Sequence, residues 1–142
     1  MNFPLKFFSN SETDTHLLAR EFSQTILPGD VIVLNGELGS GKTFFVKKVL
    51  ENFGITWVNS PSFAIVNEYR NSITFYHIDF YRIKSEAELI NTGLYDYLND
   101  KGAVVFIEWG NLFHSVLPQK RIEINIDIQP EDKRLININE YA

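Results

Sequence analysis

Apolar and polar positions follow two different rhythms along this chain, and the rhythm changes several times. After Ser11-Glu12-Thr13-Asp14-Thr15, rich in capping side chains, Leu17, Leu18, Phe22 and Ile26 recur at helical spacing. Pro28-Gly29-Asp30 reads as a turn. Val31-Ile32-Val33-Leu34 is a short unbroken apolar run, the pattern of a strand covered on both faces. The helical period returns over residues 43–53 in Phe45, Val46, Val49, Leu50 and Phe53, with Gly54 as its stop. Residues 63–69 and 73–79 predict two strands joined through Arg70-Asn71-Ser72. Alternation in the second puts Ile73, Phe75, His77 and Asp79 on one face. Ser85-Glu86-Ala87-Glu88 has the capping-box pattern of a short helix. Ala103-Val104-Val105-Phe106-Ile107 is a second continuous run, hence another central parallel strand. Finally Ile122, Ile124, Ile126 and Ile128 alternate with polar residues and, with residues 135–141, predict an amphipathic antiparallel hairpin at one edge.

This alternation of element types points to the α/β class, with a mixed central sheet flanked by helices and antiparallel strands at the edge. At 142 residues the expectation is one domain spanning 1–142. A hydrophobic fraction of 44% and 22% charged residues exclude a disordered or collagen-like chain. No apolar run approaches the roughly 18–20 residues that cross a bilayer, and Pro4 interrupts any signal-peptide pattern. The absence of cysteine removes disulfides, thiolate zinc sites and thiol catalysis. A soluble cytoplasmic protein with no membrane partner is the expectation. The net charge of −5 argues against autonomous nucleic-acid binding, which rests on clustered Lys and Arg.

The chemistry concentrates in Gly36-Glu37-Leu38-Gly39-Ser40-Gly41-Lys42-Thr43, a complete G-x-x-x-x-G-K-T phosphate loop placed between the first apolar strand and the following helix. Its glycines let the backbone wrap an anion, and the helix N-terminus favours negative charge. Lys42 is positioned for the β- and γ-phosphates, and the Thr43 hydroxyl for Mg²⁺. Such a loop works with a carboxylate. Glu108, directly after the second apolar run, has the usual layout, with a direct or water-mediated metal contact open and a solvent-facing strand end as the ordinary alternative. Asp79 ends the strand before it and is read as orienting water, acting as base or reaching the metal through water; capping the Phe80-Tyr81 turn is the plainer alternative. His77 is read as packing or hydrogen-bonding, and Arg82 as a surface or structural residue more than a source of transition-state charge. In Ser60-Pro61-Ser62-Phe63, two hydroxyls flank a proline in a segment that either responds to the γ-phosphate or is a plain loop. Trp109, beside Glu108, is expected to sense the nucleotide.

Residues 36–43, Ser60-Pro61-Ser62-Phe63, His77-Ile78-Asp79-Phe80-Tyr81-Arg82 and Ile107-Glu108-Trp109, in this order, resemble the TsaE (YjeE) family of small bacterial P-loop ATPases. Ser62 stands where the family usually has Thr, and the segment after Ile128 matches only loosely. The resemblance implies a single-domain P-loop NTPase fold and a part in forming threonylcarbamoyladenosine beside the anticodon of tRNAs reading codons that start with A. It implies TsaD and TsaB as partners, tRNA met only through that complex, and ATP hydrolysis that resets the complex between turnovers. It implies ATP and Mg²⁺ as cofactors, with Lys42 on phosphate, Thr43 and Glu108 on Mg²⁺, Asp79 in hydrolysis, and the base near Asn10 to Thr15. Two other classes share the loop: a small-molecule kinase, whose lid would have to come from residues 83–102, and a nucleotide-gated binding module with negligible hydrolysis of its own.

Overall fold

A computed structural model describes residues 1–58 and 65–142. The chain runs β1 (Leu5–Ser9), α1 (Glu12–Ser23), β2 (Val31–Asn35), α2 (Lys42–Glu51), β3 (Val66–Arg70), β4 (Thr74–Asp79), α3 (Glu86–Asn91), α4 (Leu94–Leu98), β5 (Ala103–Glu108), a 3₁₀ segment (Gly110–Val116), β6 (Arg121–Gln129) and β7 (Lys133–Tyr141). Among the described residues the strands form one seven-stranded sheet in the order β1-β7-β6-β2-β5-β4-β3. Strands β6, β2, β5 and β4 are mutually parallel, while β7, β1 and β3 pair antiparallel. The fold is therefore α/β with a mixed sheet and antiparallel strands at both edges.

The two unbroken apolar runs became β2 and β5 because both faces of these strands are covered. One face, with Ile32, Leu34, Val104 and Phe106, packs against α1 and α2; the other, with Val31, Val33, Val105 and Ile107, packs against α3, α4 and the 3₁₀ segment. Aromatic rings fill the first layer, with Phe22, Phe45, Phe75 and Phe106 fully buried. Ser11 caps α1 by accepting from Asp14 N–H at 3.2 Å, and Ser85 caps α3 by accepting from Glu88 N–H at 3.1 Å. Residues 83–102, the stretch expected to supply a lid in the kinase reading, instead bury Leu89, Leu94 and Leu98 against the sheet.

The sequence pattern and the sheet differ in two respects. The C-terminal hairpin lies further inside than an edge position, because β6 joins the parallel block beside β2, and β1 covers the free side of β7. β1 escapes the apolar pattern since Phe7 and Phe8 are adjacent and only Leu5 and Phe7 pack inward. This arrangement brings the C-terminal ends of β2, β4 and β5 level: Leu34 pairs with Glu108, and Asp79 with Glu108. Ligands of open α/β sheets bind at such an end.

Candidate nucleotide-binding site

The phosphate loop leaves β2 at Asn35 and enters α2 at Lys42. Gly39 and Gly41 adopt left-handed conformations (φ 80° and 110°) that a residue with a Cβ rarely holds, so the turn depends on glycine at both positions. Gly36 matters for space: a Cβ there would lie 2.5 Å from Ser40 Oγ and 2.6 Å from the Ile126 carbonyl. Gly41 caps α2 without a side-chain hydrogen bond, so the first amides of the helix face the loop's concavity. Glu37 and Leu38 ride on the outside of the loop, Leu38 73% exposed. Ser40 is buried, and its hydroxyl has no hydrogen-bond partner among the described residues.

Lys42 is the first helical residue and is buried. Its ammonium donates to the Gly36 and Glu37 carbonyls at 2.7 and 3.1 Å and sits 4.1 Å from the centroid of the Trp109 ring. Burial lowers its pKa, while the nearby charges of Glu108, Asp79 and Glu37 pull it back up. Trp109 reaches Lys42 because its backbone turns left-handed (φ 61°) directly after β5, with its N–H held by the Leu34 carbonyl at 3.0 Å. The Tyr81 ring lies tilted against the same indole, centroid to centroid 4.9 Å.

Thr43 donates its hydroxyl to Glu108, lying 2.9 Å from both Oε1 and Oε2. His77, fully buried on β4, meets Glu108 Oε2 through Nε2 at 2.5 Å, while its Nδ1 has no partner among the described residues. His77 therefore hydrogen-bonds, and the group it bonds is the candidate metal carboxylate. Asp79 accepts the Tyr81 N–H at 2.9 Å, so it does cap the turn after β4 while facing the crevice beside Glu108. Burial raises the pKa of Asp79, and Glu108 adds to the rise; the Tyr81 N–H, His77 and Lys42 oppose it. Arg82 is exposed in that same turn. Ser60-Pro61-Ser62-Phe63 lies outside the described residues.

Beside the loop, residues 9–12 and Thr15 join Gly39, Ser40, Gly41, Phe44 and Arg134 around a cavity of about 290 Å³. The start of α1 thus adjoins the phosphate loop. A larger groove at the opposite end of the sheet, between Leu27, Tyr95, Pro118 and Tyr141, contains none of the expected site residues. The sequence pattern missed Arg134, whose guanidinium touches the loop from β7. No local signal marks it, since only the sheet order places it there.

Comparison with known proteins gives a family match. The profile described as "Threonylcarbamoyl adenosine biosynthesis protein TsaE" matches residues 9–136. The chain belongs to the TsaE family. It is 40% identical over 136 residues to the tRNA threonylcarbamoyladenosine biosynthesis protein TsaE of Rickettsia bellii, covering 93% of each chain. Identity to the Bacillus subtilis TsaE is also 40%, over 134 residues that span 93% of this chain and 83% of that one. The solved structure titled "Crystal structure of Bacillus subtilus YdiB" superposes with a TM-score of 0.83 at 34% identity, covering 100% of this chain and 88% of the other. Membership in the TsaE family accounts for the shared fold. Among the described residues no helix is long and apolar enough to cross a membrane.

Proposed function

We propose that this protein binds and hydrolyses ATP with Mg²⁺ and serves tRNA threonylcarbamoyladenosine biosynthesis as an accessory ATPase acting on a TsaD–TsaB complex. The observation that carries the reading is the convergence of Lys42, Thr43 and Glu108 at the mouth of the phosphate loop, in a chain whose relatives are named for that biosynthesis.

The donors fit magnesium. A hydroxyl and a carboxylate, both hard oxygen ligands, point at one place beside the loop, and magnesium brought in on phosphates takes only one or two such ligands from protein. Thr43 and Glu108 would hold the ion, and bound there it would neutralise charge on the phosphate oxygens. The chain's own residues do the rest. The loop amides and Lys42 bind the phosphates, the ammonium having one N–H beyond the two it gives to the Gly36 and Glu37 carbonyls. His77 holds the Glu108 carboxylate from behind. Asp79, with its raised pKa, is suited to accept a proton from water or to orient it. An isolated phosphate loop lacks part of the charge stabilisation its transition state needs, so hydrolysis by the protein alone is expected to be slow, with a partner supplying the missing stabilisation.

Residues 83–102 are anchored to the sheet through Ile83, Leu89, Leu94 and Leu98, which argues against their serving as a closing lid and favours hydrolysis over a kinase reaction. The test is a reconstituted tRNA modification with purified TsaD and TsaB under multiple-turnover conditions. Repeated turnover is expected with wild-type protein and is expected to stop with Lys42→Ala or Asp79→Ala. Equal turnover without this protein contradicts the proposal.

A further inference from the structure

Arg134, near the start of β7, is 94 positions beyond Ser40, yet its guanidinium lies against the outer side of the phosphate loop. Nε donates to the Ser40 carbonyl at 2.9 Å, and Nη2 to the Gly39 carbonyl at 3.3 Å. Nη1 faces the other way and donates to Asp132 Oδ1 at 2.8 Å, the Asp132 carbonyl at 2.9 Å and the Lys133 carbonyl at 3.2 Å. A planar fork held at both edges is fixed in place, with the side chain 20% exposed.

Peptide planarity gives this contact a consequence. The Ser40 carbonyl and the Gly41 N–H belong to one rigid unit and point in opposite directions. Pinning the oxygen to the outside turns that N–H toward the concave side, where Lys42 begins α2. Gly41, at φ 110°, has no Cβ to hold the orientation by itself. The neighbouring unit already commits its N–H, since Ser40 N–H donates to the Glu37 carbonyl at 3.0 Å. The effect therefore falls on the Gly41 amide. A cation on the carbonyl end also polarises the unit and makes its N–H a stronger donor to an anion.

We infer that Arg134 is a positioning residue for phosphate binding, acting through the Ser40–Gly41 peptide and tying the loop to the tip of the C-terminal hairpin. The inference rests on the nucleotide reading of the site. Two probes are measured with Mg²⁺: ADP, and inorganic tripolyphosphate, which has no base or sugar. Arg134→Met is expected to weaken both by the same factor, on the order of tenfold, the scale of one lost charge-assisted hydrogen bond. Arg134→Lys is expected to recover only part of the affinity, because an ammonium cannot span two carbonyls as the fork does. It also carries the test should Arg134→Met fail to fold. A lowered melting temperature with wild-type affinity for both probes would make the role merely structural and overturn the inference. So would a loss confined to ADP, which would put Arg134 on the nucleoside. Wild-type protein that binds neither probe removes the nucleotide reading itself, an outcome distinct from wild-type binding that Arg134→Met leaves unchanged.

Discussion

The Thr43 hydroxyl lies 2.9 Å from each oxygen of the Glu108 carboxylate, joining the first turn of α2 to the end of β5. Both groups are oxygen donors, and the contact holds them together before any ligand arrives. Glu108→Gln is expected to abolish the gain in nucleotide affinity that Mg²⁺ provides while leaving affinity in EDTA near wild type. His77→Leu, which removes the bond to Oε2, is expected to weaken Mg²⁺ on the order of 10–100-fold, as loss of a ligand's supporting hydrogen bond does. Titration of Mg²⁺ at fixed nucleotide reads both variants. An unchanged Mg²⁺ requirement in Glu108→Gln would remove it from the metal.

Asp79 carries an energetic cost along with its role. Burial raises its pKa, so the folded chain holds this proton more tightly than the unfolded chain does. Its contribution to stability is present below the unfolded value and is lost as pH rises from about 4 through the folded pKa. Asp79→Asn removes that decline. The variant is expected to melt at or above the wild-type temperature at pH 7, yet to hydrolyse ATP on the order of 10²–10⁴ times more slowly. Melting curves at pH 4 and pH 7 with a hydrolysis assay check both halves; wild-type hydrolysis would end its assigned role.

Lys42 sits against the Trp109 ring, so a phosphate on its ammonium alters the electrostatic surroundings of the indole. Nucleotide with Mg²⁺ is therefore expected to change the intrinsic fluorescence, and Trp109→Phe to remove most of the change. Trp57 is 56% exposed, and Trp57→Phe is expected to leave the signal in place. A response that survives Trp109→Phe would put the nucleotide elsewhere.

Gly36 has no room for a methyl group, and one of its two close neighbours is the backbone carbonyl of Ile126. Gly36→Ala is expected to lose about 1–3 kcal/mol of stability, the usual range for overpacking, and to weaken nucleotide with it. Denaturant unfolding measures the first. A variant as stable as wild type would mean the β2–β6 junction yields more readily than its geometry indicates.

What was legible in the sequence was contiguous. Residues 36–43 sit in eight consecutive positions, and Glu108 ends an unbroken apolar run, so both could be placed without knowing the sheet order. Asp79 and His77 followed from period-two alternation on β4. The rest depends on long-range pairing. His77 meets Glu108 only because β4 and β5 are parallel neighbours, and Arg134 meets Ser40 only because β7 lies between β1 and β6. The contact of Trp109 with Lys42 requires a left-handed turn at a non-glycine residue, which no propensity predicts. β1 was hidden for a similar reason, its apolar residues being too few and half-buried.

Steady-state ATP hydrolysis with Mg²⁺, measured for wild type, Lys42→Ala and Asp79→Ala with and without TsaD–TsaB, tests the central claim most directly. Wild type is expected to turn over slowly alone and at an altered rate with the complex, because an isolated phosphate loop lacks part of the charge stabilisation its transition state needs. Both variants are expected to stay at background in either condition. Hydrolysis by Lys42→Ala at the wild-type rate, alone and with the complex, would contradict the account.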